Sequence, residues 1–269
     1  MHKNILFLLL IPFIGITQDI DNLFIERGEI YFSFEYENKQ QLNIISDIIS
    51  IDHKTNGELA FAYANKKEFL DFLELAIDYT IIPHKPLDFK CKNKNSWNYY
   101  PTYQEYVDMM YAFSDSFPEI CKTHSLGTLS SGREILIVQI SNNVGNREDE
   151  PSFLYTSSMH GDELAGYVLS LRLIDYILDG YTNDSRLTDL VDNIDIWINP
   201  LANPDGAYFG GNQSVSSATR YNANWVDLNR NYPDPEDGPH PDGNPYQPET
   251  NIFIGLADTV DFTISANMH

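Results

Sequence analysis

The amino-acid sequence predicts an α/β protein in which helices sandwich a mixed β-sheet, with a smaller α+β unit before it. Nearly continuous apolar runs at Glu134–Ile140 and at 153–156 are typical of strands buried on both faces. Helical patterns separate these runs, which is the order expected of an α/β sandwich. Before residue 84, shorter segments with alternating polarity indicate a separate small unit.

The N-terminal unit is predicted at residues 18–83. Asn56-Gly57 favours a hairpin turn, and Asn65 is suited to cap a following helix. Six segments carry strand or helix patterns in the order β-α-β-β-α-β: 29–36, 39–46, 48–51, 59–63, 66–77 and 79–82. This order predicts a ferredoxin-like arrangement.

Residues 84–96 are predicted to link this unit to the larger domain. Lys85, Lys90, Lys92 and Lys94 lie close together there, in an otherwise acidic chain. A solvated connector explains such a run, and a cut site for a trypsin-like protease is the alternative interpretation.

The larger domain is predicted at residues 97–269. Its elements alternate in type along the chain: a helix at 103–117, strands at 134–140 and 153–156, a helix at 164–178, and strands at 194–198 and 262–266. Strands buried on both faces need helices on each side, so we expect a mixed sheet between layers of helices.

Composition argues against some classes of protein. The 269 residues carry a formal charge of −22, whereas binding of a nucleic-acid backbone requires clustered lysine and arginine. The apolar run at 5–16 follows Lys3 and is too short to span a bilayer. It predicts a signal peptide at 1–17 and a secreted or periplasmic protein. Cys91 and Cys121 form either one disulfide or two free thiols.

The strongest chemical signal is the segment His160-Gly161-Asp162-Glu163. It begins the helix predicted at 164–178, so the imidazole and the carboxylate, three residues apart, face the same side. Both groups are good zinc ligands, and ligands collect at the carboxyl ends of strands in an open sheet. A histidine and a glutamate at this spacing more often mark only a capped helix start, so further motifs are needed.

Further motifs follow in the second half of the chain: Asn203-Pro204-Asp205-Gly206, Arg220, Val226-Asp227-Leu228-Asn229-Arg230-Asn231-Tyr232-Pro233, Pro248-Glu249-Thr250 and the terminal His269. With these motifs in this order, residues 97–269 resemble the M14 zinc carboxypeptidase family. The segment from Val226 to Asp234 is more similar in sequence to the branch of carboxypeptidases N, E and D than to the digestive enzymes, and so is the aspartate at position 162.

The resemblance implies a metal site. His160, Glu163 and His269 would bind one zinc ion and leave its fourth position to water. In the family, the general-base glutamate lies beyond the third ligand, and this sequence ends at His269. We therefore expect a chain truncated at its C-terminus that hydrolyses little by itself.

The resemblance also implies a substrate site. Arg220 would polarise the scissile carbonyl, and Asn229 and Arg230 would hold the free carboxylate of a peptide C-terminus. A guanidinium binds a carboxylate through two parallel hydrogen bonds, and an amide adds a donor. Taken singly, Arg220 is better explained as a surface charge in a polar loop, and a structural role for Arg230, with Asn229 and Asn231 making turns, is the alternative.

Function is predicted from these motifs together. The leading prediction is a secreted zinc metallocarboxypeptidase that acts on peptide or protein C-termini, without nucleic acid and without a membrane span. Two alternatives stay open: a zinc amidohydrolase acting on N-acyl amino acids or cell-wall peptides, and a non-catalytic peptide-binding member of the fold. The N-terminal unit and the lysine-rich linker resemble the prodomain layout of the digestive branch, and a retained accessory domain is the alternative.

Overall fold

A computed structural model describes Phe24 and residues 28–54, 59–82, 97 and 99–269 of the chain. The predicted signal peptide, the Asn56-Gly57 turn, the lysine-rich linker at 84–96 and Cys91 lie outside the described residues. Cys121 is buried on a strand of the larger sheet. No helix within the described ranges is long and apolar enough to cross a membrane.

The N-terminal unit, residues 28–82, contains a four-stranded antiparallel sheet. Its elements are β1 (Glu29–Glu35), α1 (Lys39–Ser46), β2 (Ser50–Lys54), β3 (Leu59–Asn65), α2 (Lys66–Leu73) and β4 (Tyr79–Ile81). The strands lie in the order β2-β3-β1-β4. One face of the sheet packs phenylalanine side chains against α1 and α2, and the opposite face carries Glu29, Tyr31 and Tyr63. That this unit is a separate ferredoxin-like domain stays a prediction.

The helix capped by Asn65 shows why the sequence folds this way locally. The Asn65 side chain accepts a hydrogen bond from the Glu68 backbone N–H at 3.0 Å, and the Glu68 carboxylate accepts one from the Asn65 N–H at 3.1 Å. This reciprocal cap satisfies two N–H groups at the start of α2. It also fixes Glu68 on the side of the unit that faces the larger domain.

The larger domain contains a five-stranded mixed sheet between layers of helices, which confirms the predicted fold class. Its elements are α3 (Tyr103–Ser116), β5 (Cys121–Thr128), β6 (Glu134–Ile140), β7 (Ser152–Ser157), α4 (Ala165–Gly180), α5 (Ser185–Asn193), β8 (Asp195–Asn199), α6 (Pro204–Ala207), α7 (Pro248–Thr259) and β9 (Ile264–Met268). The strand order is β5-β6-β8-β7-β9. β5, β6 and β8 pair antiparallel, and β8, β7 and β9 pair parallel.

Burial on both faces explains the apolar run at β6. Leu136, Val138 and Ile140 pack into the core under α3, α4 and α5, whereas Ile137 packs with Leu256 of α7 on the other side. Because successive side chains of a strand point to opposite faces, a strand with a core on each side has no polar face.

Several elements differ from the sequence prediction. β5, α5 and α7 were not predicted, because β5 is a polar edge strand, α5 is short and polar, and α7 follows a loop rich in proline and glycine. The last strand runs over Ile264–Met268 rather than 262–266. His269 therefore follows this strand directly.

Candidate active site

Three candidate metal ligands meet at the carboxyl ends of β7 and β9. Ser157 pairs in register with Met268, so His160 and His269 lie just beyond the ends of neighbouring parallel strands. Glu163 closes the turn between β7 and α4. Parallel strands place such residues together because their carboxyl ends share one edge of the sheet.

The cluster has the size of a zinc site. Glu163 Oε1 lies 3.0 Å from His160 Nδ1, and Glu163 Oε2 lies 3.0 Å from His269 Nδ1. The two Nδ1 atoms are 3.1 Å apart. Ligands about 2.0–2.2 Å from one zinc ion would be separated by only slightly more than these distances, so two histidines and one glutamate fit this metal. Burial alone would raise the pKa of Glu163, but the hydrogen bonds from His160 and His269 lower it to about 2.

A close approach of two backbones holds the turn before α4. A side chain on Gly161 would begin 2.3 Å from the carbonyl carbon of Gly206 in α6, so only glycine fits. The Gly161 N–H donates to the Arg220 carbonyl at 3.2 Å. The Asn203 side chain donates to the same carbonyl at 3.4 Å. These contacts connect three motifs that are far apart in the sequence.

Asp227 supports His160 from behind, a role that the sequence analysis did not assign. Its Oδ1 lies 2.9 Å from His160 Nε2, which leaves Nδ1 to face the metal cluster. Metal-binding histidines commonly donate their second ring N–H to a carboxylate in this way. Burial would raise the pKa of Asp227, but Arg220 and His160 hold it well below its usual range. The signal in the sequence that could have indicated this role is that general pattern, together with the place of Asp227 two residues before Asn229.

Arg220 brings a positive charge to the same centre. Its Nε donates to Asp227 Oδ2 at 3.1 Å, and its Nη1 lies 3.7 Å from Glu163 Oε1. The Arg220 side chain is only 4% exposed, and the Tyr63 ring of the N-terminal unit lies over its guanidinium, 5.6 Å from the ring centroid. Arg220 therefore lies next to the candidate metal ligand Glu163, but the Tyr63 ring covers its guanidinium.

Asn229 and Arg230 lie beside the cluster rather than in it. Asp227 caps their short 3-10 turn by accepting the Asn229 N–H at 2.9 Å. Both residues line a cleft of about 1320 Å³, whose opposite wall belongs to the N-terminal unit. Asp227 also borders this cleft, so it links the two candidate carboxylate-binding residues to His160.

The Pro248-Glu249-Thr250 motif has a supporting position under this loop. The Thr250 hydroxyl donates to Asn231 Oδ1 at 2.9 Å, and the Asn222 amide donates to Glu249 at 3.1 Å. Glu249 is buried, and this burial raises its pKa. The buried amides hold the loop that carries Arg230.

The outer face of the N-terminal sheet packs on the site, which the sequence analysis did not foresee. Both Glu29 carboxylate oxygens accept from the Arg220 backbone N–H, at 3.3 and 3.1 Å. The Ser50 hydroxyl donates to Asp227, and the Tyr221 hydroxyl donates to Glu68 at 2.5 Å. These pairs are 150 or more residues apart in sequence, and only the packing of the two units brings them together.

Sequence comparisons show which known proteins this chain is similar to. The model of the family Peptidase M14, zinc carboxypeptidase, matches residues 106–269. Human carboxypeptidase D is 39% identical over 160 residues, which cover 58% of this chain and 11% of that protein. Carboxypeptidase SOL1 of Arabidopsis thaliana is 35% identical over 170 residues, which cover 63% of this chain and 33% of that protein. The rat carboxypeptidase N catalytic chain is 33% identical over 189 residues, which cover 62% of this chain and 41% of that protein. The match thus spans well under half the length of these relatives.

Solved structures share the fold. Carboxypeptidase A from Helicoverpa armigera superposes with a TM-score of 0.66 at 20% identity, covering 91% of this chain and 70% of that chain. Thrombin activatable fibrinolysis inhibitor superposes with a TM-score of 0.61 at 12% identity, covering 90% and 72%. Both superpositions extend over about nine tenths of this chain, and at these identities they establish its architecture alone.

Proposed function

This chain belongs to the zinc carboxypeptidase family, and from that premise we propose that it acts as a secreted metallocarboxypeptidase on the C-termini of peptides and proteins. The observation that carries the proposal is the convergence of His160, Glu163 and His269 within hydrogen-bond distance, with Arg220 beside Glu163. The apolar run at 5–16 supports the proposed export.

His160, Glu163 and His269 would hold one zinc ion, which supplies an activated water for attack on a peptide carbonyl. The chain's own residues arrange the surroundings. Asp227 holds His160 through Nε2, so that Nδ1 is directed at the metal position. Arg220 provides a guanidinium next to Glu163, suited to stabilise negative charge that develops on the carbonyl oxygen.

Recognition of a free C-terminus is assigned to Asn229 and Arg230. Arg230 donates only to the neighbouring Asn229 carbonyl among the hydrogen bonds of the described residues, at 3.3 Å, and it borders the cleft. A guanidinium in this position is available to a substrate carboxylate. Recognition of the substrate's free carboxylate distinguishes an exopeptidase, which removes terminal residues, from an endopeptidase, which cuts within a chain.

We also propose that the N-terminal unit restrains the site while it is docked. Arg220 is buried beneath Tyr63 with 4% of its side chain exposed, so the docked unit shields the guanidinium from a substrate carbonyl. The arginine side of the site is therefore covered while the N-terminal unit is docked.

Metal analysis of the full-length protein tests the proposed site. We expect one zinc per chain in the wild type and loss of stoichiometric zinc in His160→Ala and in Glu163→Ala. Asp258→Ala, an exposed position on α7, provides the matched control for removal of a side chain. Stoichiometric zinc in Glu163→Ala would show that the ligand set is wrong.

A further inference from the structure

A serine of the N-terminal unit reaches the residue that supports a proposed metal ligand. We propose that Ser50 is a positioning residue for the metal site, acting through Asp227 on His160, so that docking of the N-terminal unit and metal binding strengthen each other. This inference rests on the proposed ligand set of His160, Glu163 and His269.

The three side chains form a continuous buried chain of hydrogen bonds. Ser50 donates to Asp227 Oδ2, and Asp227 Oδ1 lies 2.9 Å from His160 Nε2. Ser50 is 3% exposed, Asp227 4% and His160 1%. Water therefore has little access to replace a missing hydroxyl, and loss of the Ser50 donor removes one hydrogen bond from a buried carboxylate.

Asp227 is held at four points. Oδ1 accepts from His160 and from the Asn229 N–H at 2.9 Å, and Oδ2 accepts from Ser50 and from Arg220 Nε at 3.1 Å. Without the serine, Arg220 alone determines where Oδ2 lies. The carboxylate then has freedom to turn toward the guanidinium, which weakens its bond to His160 because the two oxygens move together.

Docking of the N-terminal unit brings the Ser50 hydroxyl to Asp227. Ser50 begins β2 and pairs in register with Tyr63 on β3, the residue that covers Arg220. Glu29 on β1 binds the Arg220 N–H, and Asn65 at the end of β3 donates to the Trp225 carbonyl at 3.0 Å. Three strands of one sheet thus contact the segment from 220 to 227, so Ser50 is placed only when the whole face is docked.

Coupling between the two events follows from thermodynamic reciprocity. If docking raises metal affinity by a given factor, metal raises the docking equilibrium by the same factor. The docked unit therefore supports the metal half of the site while it covers the arginine half. A docked chain is expected to be the form that retains metal best.

Zinc affinity of the full chain, measured by competition with a chelator, provides the first test. Ser50→Ala is expected to bind zinc about threefold to tenfold more weakly, less than the 10–100-fold known for direct partners of a ligand. Ser50→Thr keeps the hydroxyl and should restore most of the affinity. Ser46→Ala is the matched control, because the Ser46 hydroxyl donates only within α1, to the Asn43 carbonyl.

Docking itself is measured through the Arg220 backbone amide, which donates to Glu29 in the docked state. Zinc should slow hydrogen exchange at this amide in the wild type by about threefold to tenfold more than in Ser50→Ala, as reciprocity requires. In the zinc-loaded protein, the Nε2–H proton of His160, which faces Asp227 Oδ1, should resonate further upfield in Ser50→Ala than in the wild type, as expected of a weaker hydrogen bond. A merely structural serine would not move that signal.

The outcomes separate the two proposals. If Glu163→Ala retains zinc, the ligand set fails. If Glu163→Ala loses zinc but Ser50→Ala binds zinc as the wild type does, only the present inference fails. If Ser50→Ala does not fold, the wild type alone tests the coupling. Zinc that leaves the hydrogen-exchange rate of the Arg220 amide unchanged in the wild type would overturn it.

Discussion

At the scale of single residues, the site depends on charges that are buried in contact with one another. Asp227 joins a candidate metal ligand, an arginine and the turn that carries Arg230. Burial of the carboxylate is tolerated because each of its oxygens accepts two hydrogen bonds. A change at this one position therefore reaches every part of the site.

Asp227→Asn is expected to weaken zinc binding by about 10–100-fold, the range found for carboxylates that orient metal-binding histidines. The amide keeps the shape of the side chain but offers His160 only one acceptor oxygen and no negative charge. Chelator competition measures the effect, with Asp258→Asn on the exposed face of α7 as control. Equal affinity in both variants would contradict the role of Asp227.

Arg230→Ala tests carboxylate recognition. The substitution should cost free-acid peptides about 2–5 kcal/mol of binding free energy, as expected for loss of a charge partner, and amidated twins much less. Calorimetric titration of both ligands into the full-length protein measures the difference. Lys67→Ala, on the opposite wall of the same cleft, is the control. Equal losses for acid and amide would argue against an exopeptidase.

At the scale of elements, α2 connects local folding to docking. Glu68 caps this helix and also accepts the Tyr221 hydroxyl of the larger domain. Burial raises the pKa of Glu68 to about 7, although the hydrogen bonds from Tyr221 and the Asn65 N–H oppose the rise. Asp227 raises the pKa further and Arg220 lowers it.

This raised pKa predicts that stability falls as the pH increases. The unfolded chain has a glutamate with a pKa near 4.5, so the folded protein binds the proton more tightly. The contribution of the protonated group is fully present below about pH 4.5 and is lost as the pH rises through about 7. Glu68→Gln mimics the protonated group and keeps the helix cap.

Urea unfolding of the wild type and Glu68→Gln at pH 5 and pH 8 measures this effect. The advantage of the glutamine variant should be larger at pH 8, by at most about 3 kcal/mol for a shift of this size. Glu74→Gln, at the end of the same helix, is the control for removal of a charge. The same difference at both pH values would contradict the assignment.

At the scale of the whole molecule, two sheets meet across one centre. The larger sheet brings His160 and His269 together through its parallel strands, and the smaller sheet covers Arg220 with its outer face. Under the proposed function, the positions of the two units determine which residues a substrate reaches. Changes in this packing are expected to alter activity without any change in the site residues.

Separation of the N-terminal unit should raise hydrolysis by the full-length protein. Cutting within 84–96 and removing the unit uncovers Arg220, and the gain in kcat/KM should be about a hundredfold, comparable to one charge-stabilising group. Rates on a blocked dipeptide before cutting, after cutting and after separation measure it. The cut but unseparated protein is the control, and an unchanged rate after separation would show that the unit does not restrain the site.

Local patterns along the chain predict several of the helices and strands, and they identify the motifs that carry the chemistry. The observed bounds of α1 and β6 are the predicted ones, and the nearly continuous apolar run at β6 predicts helices on both faces of the sheet. His160, Glu163, Arg220 and His269 were singled out by motif order, because the chemistry restricts which side chains serve there. Edge strand β5 and helix α5 were missed, since β5 carries polar residues on both faces and α5 is only 9 residues long with few apolar side chains.

The residues that support and cover the site are identified from the packing of the two units, not from local sequence. The contacts of Ser50 with Asp227, of Glu29 with Arg220 and of Tyr63 with the guanidinium join residues 157 or more positions apart. No local pattern encodes such pairs. The alternation along a strand shows which face packs on the core of its own unit, but it does not show what the opposite face contacts. The partner of that face is decided by the shape and charge of the whole folded surface.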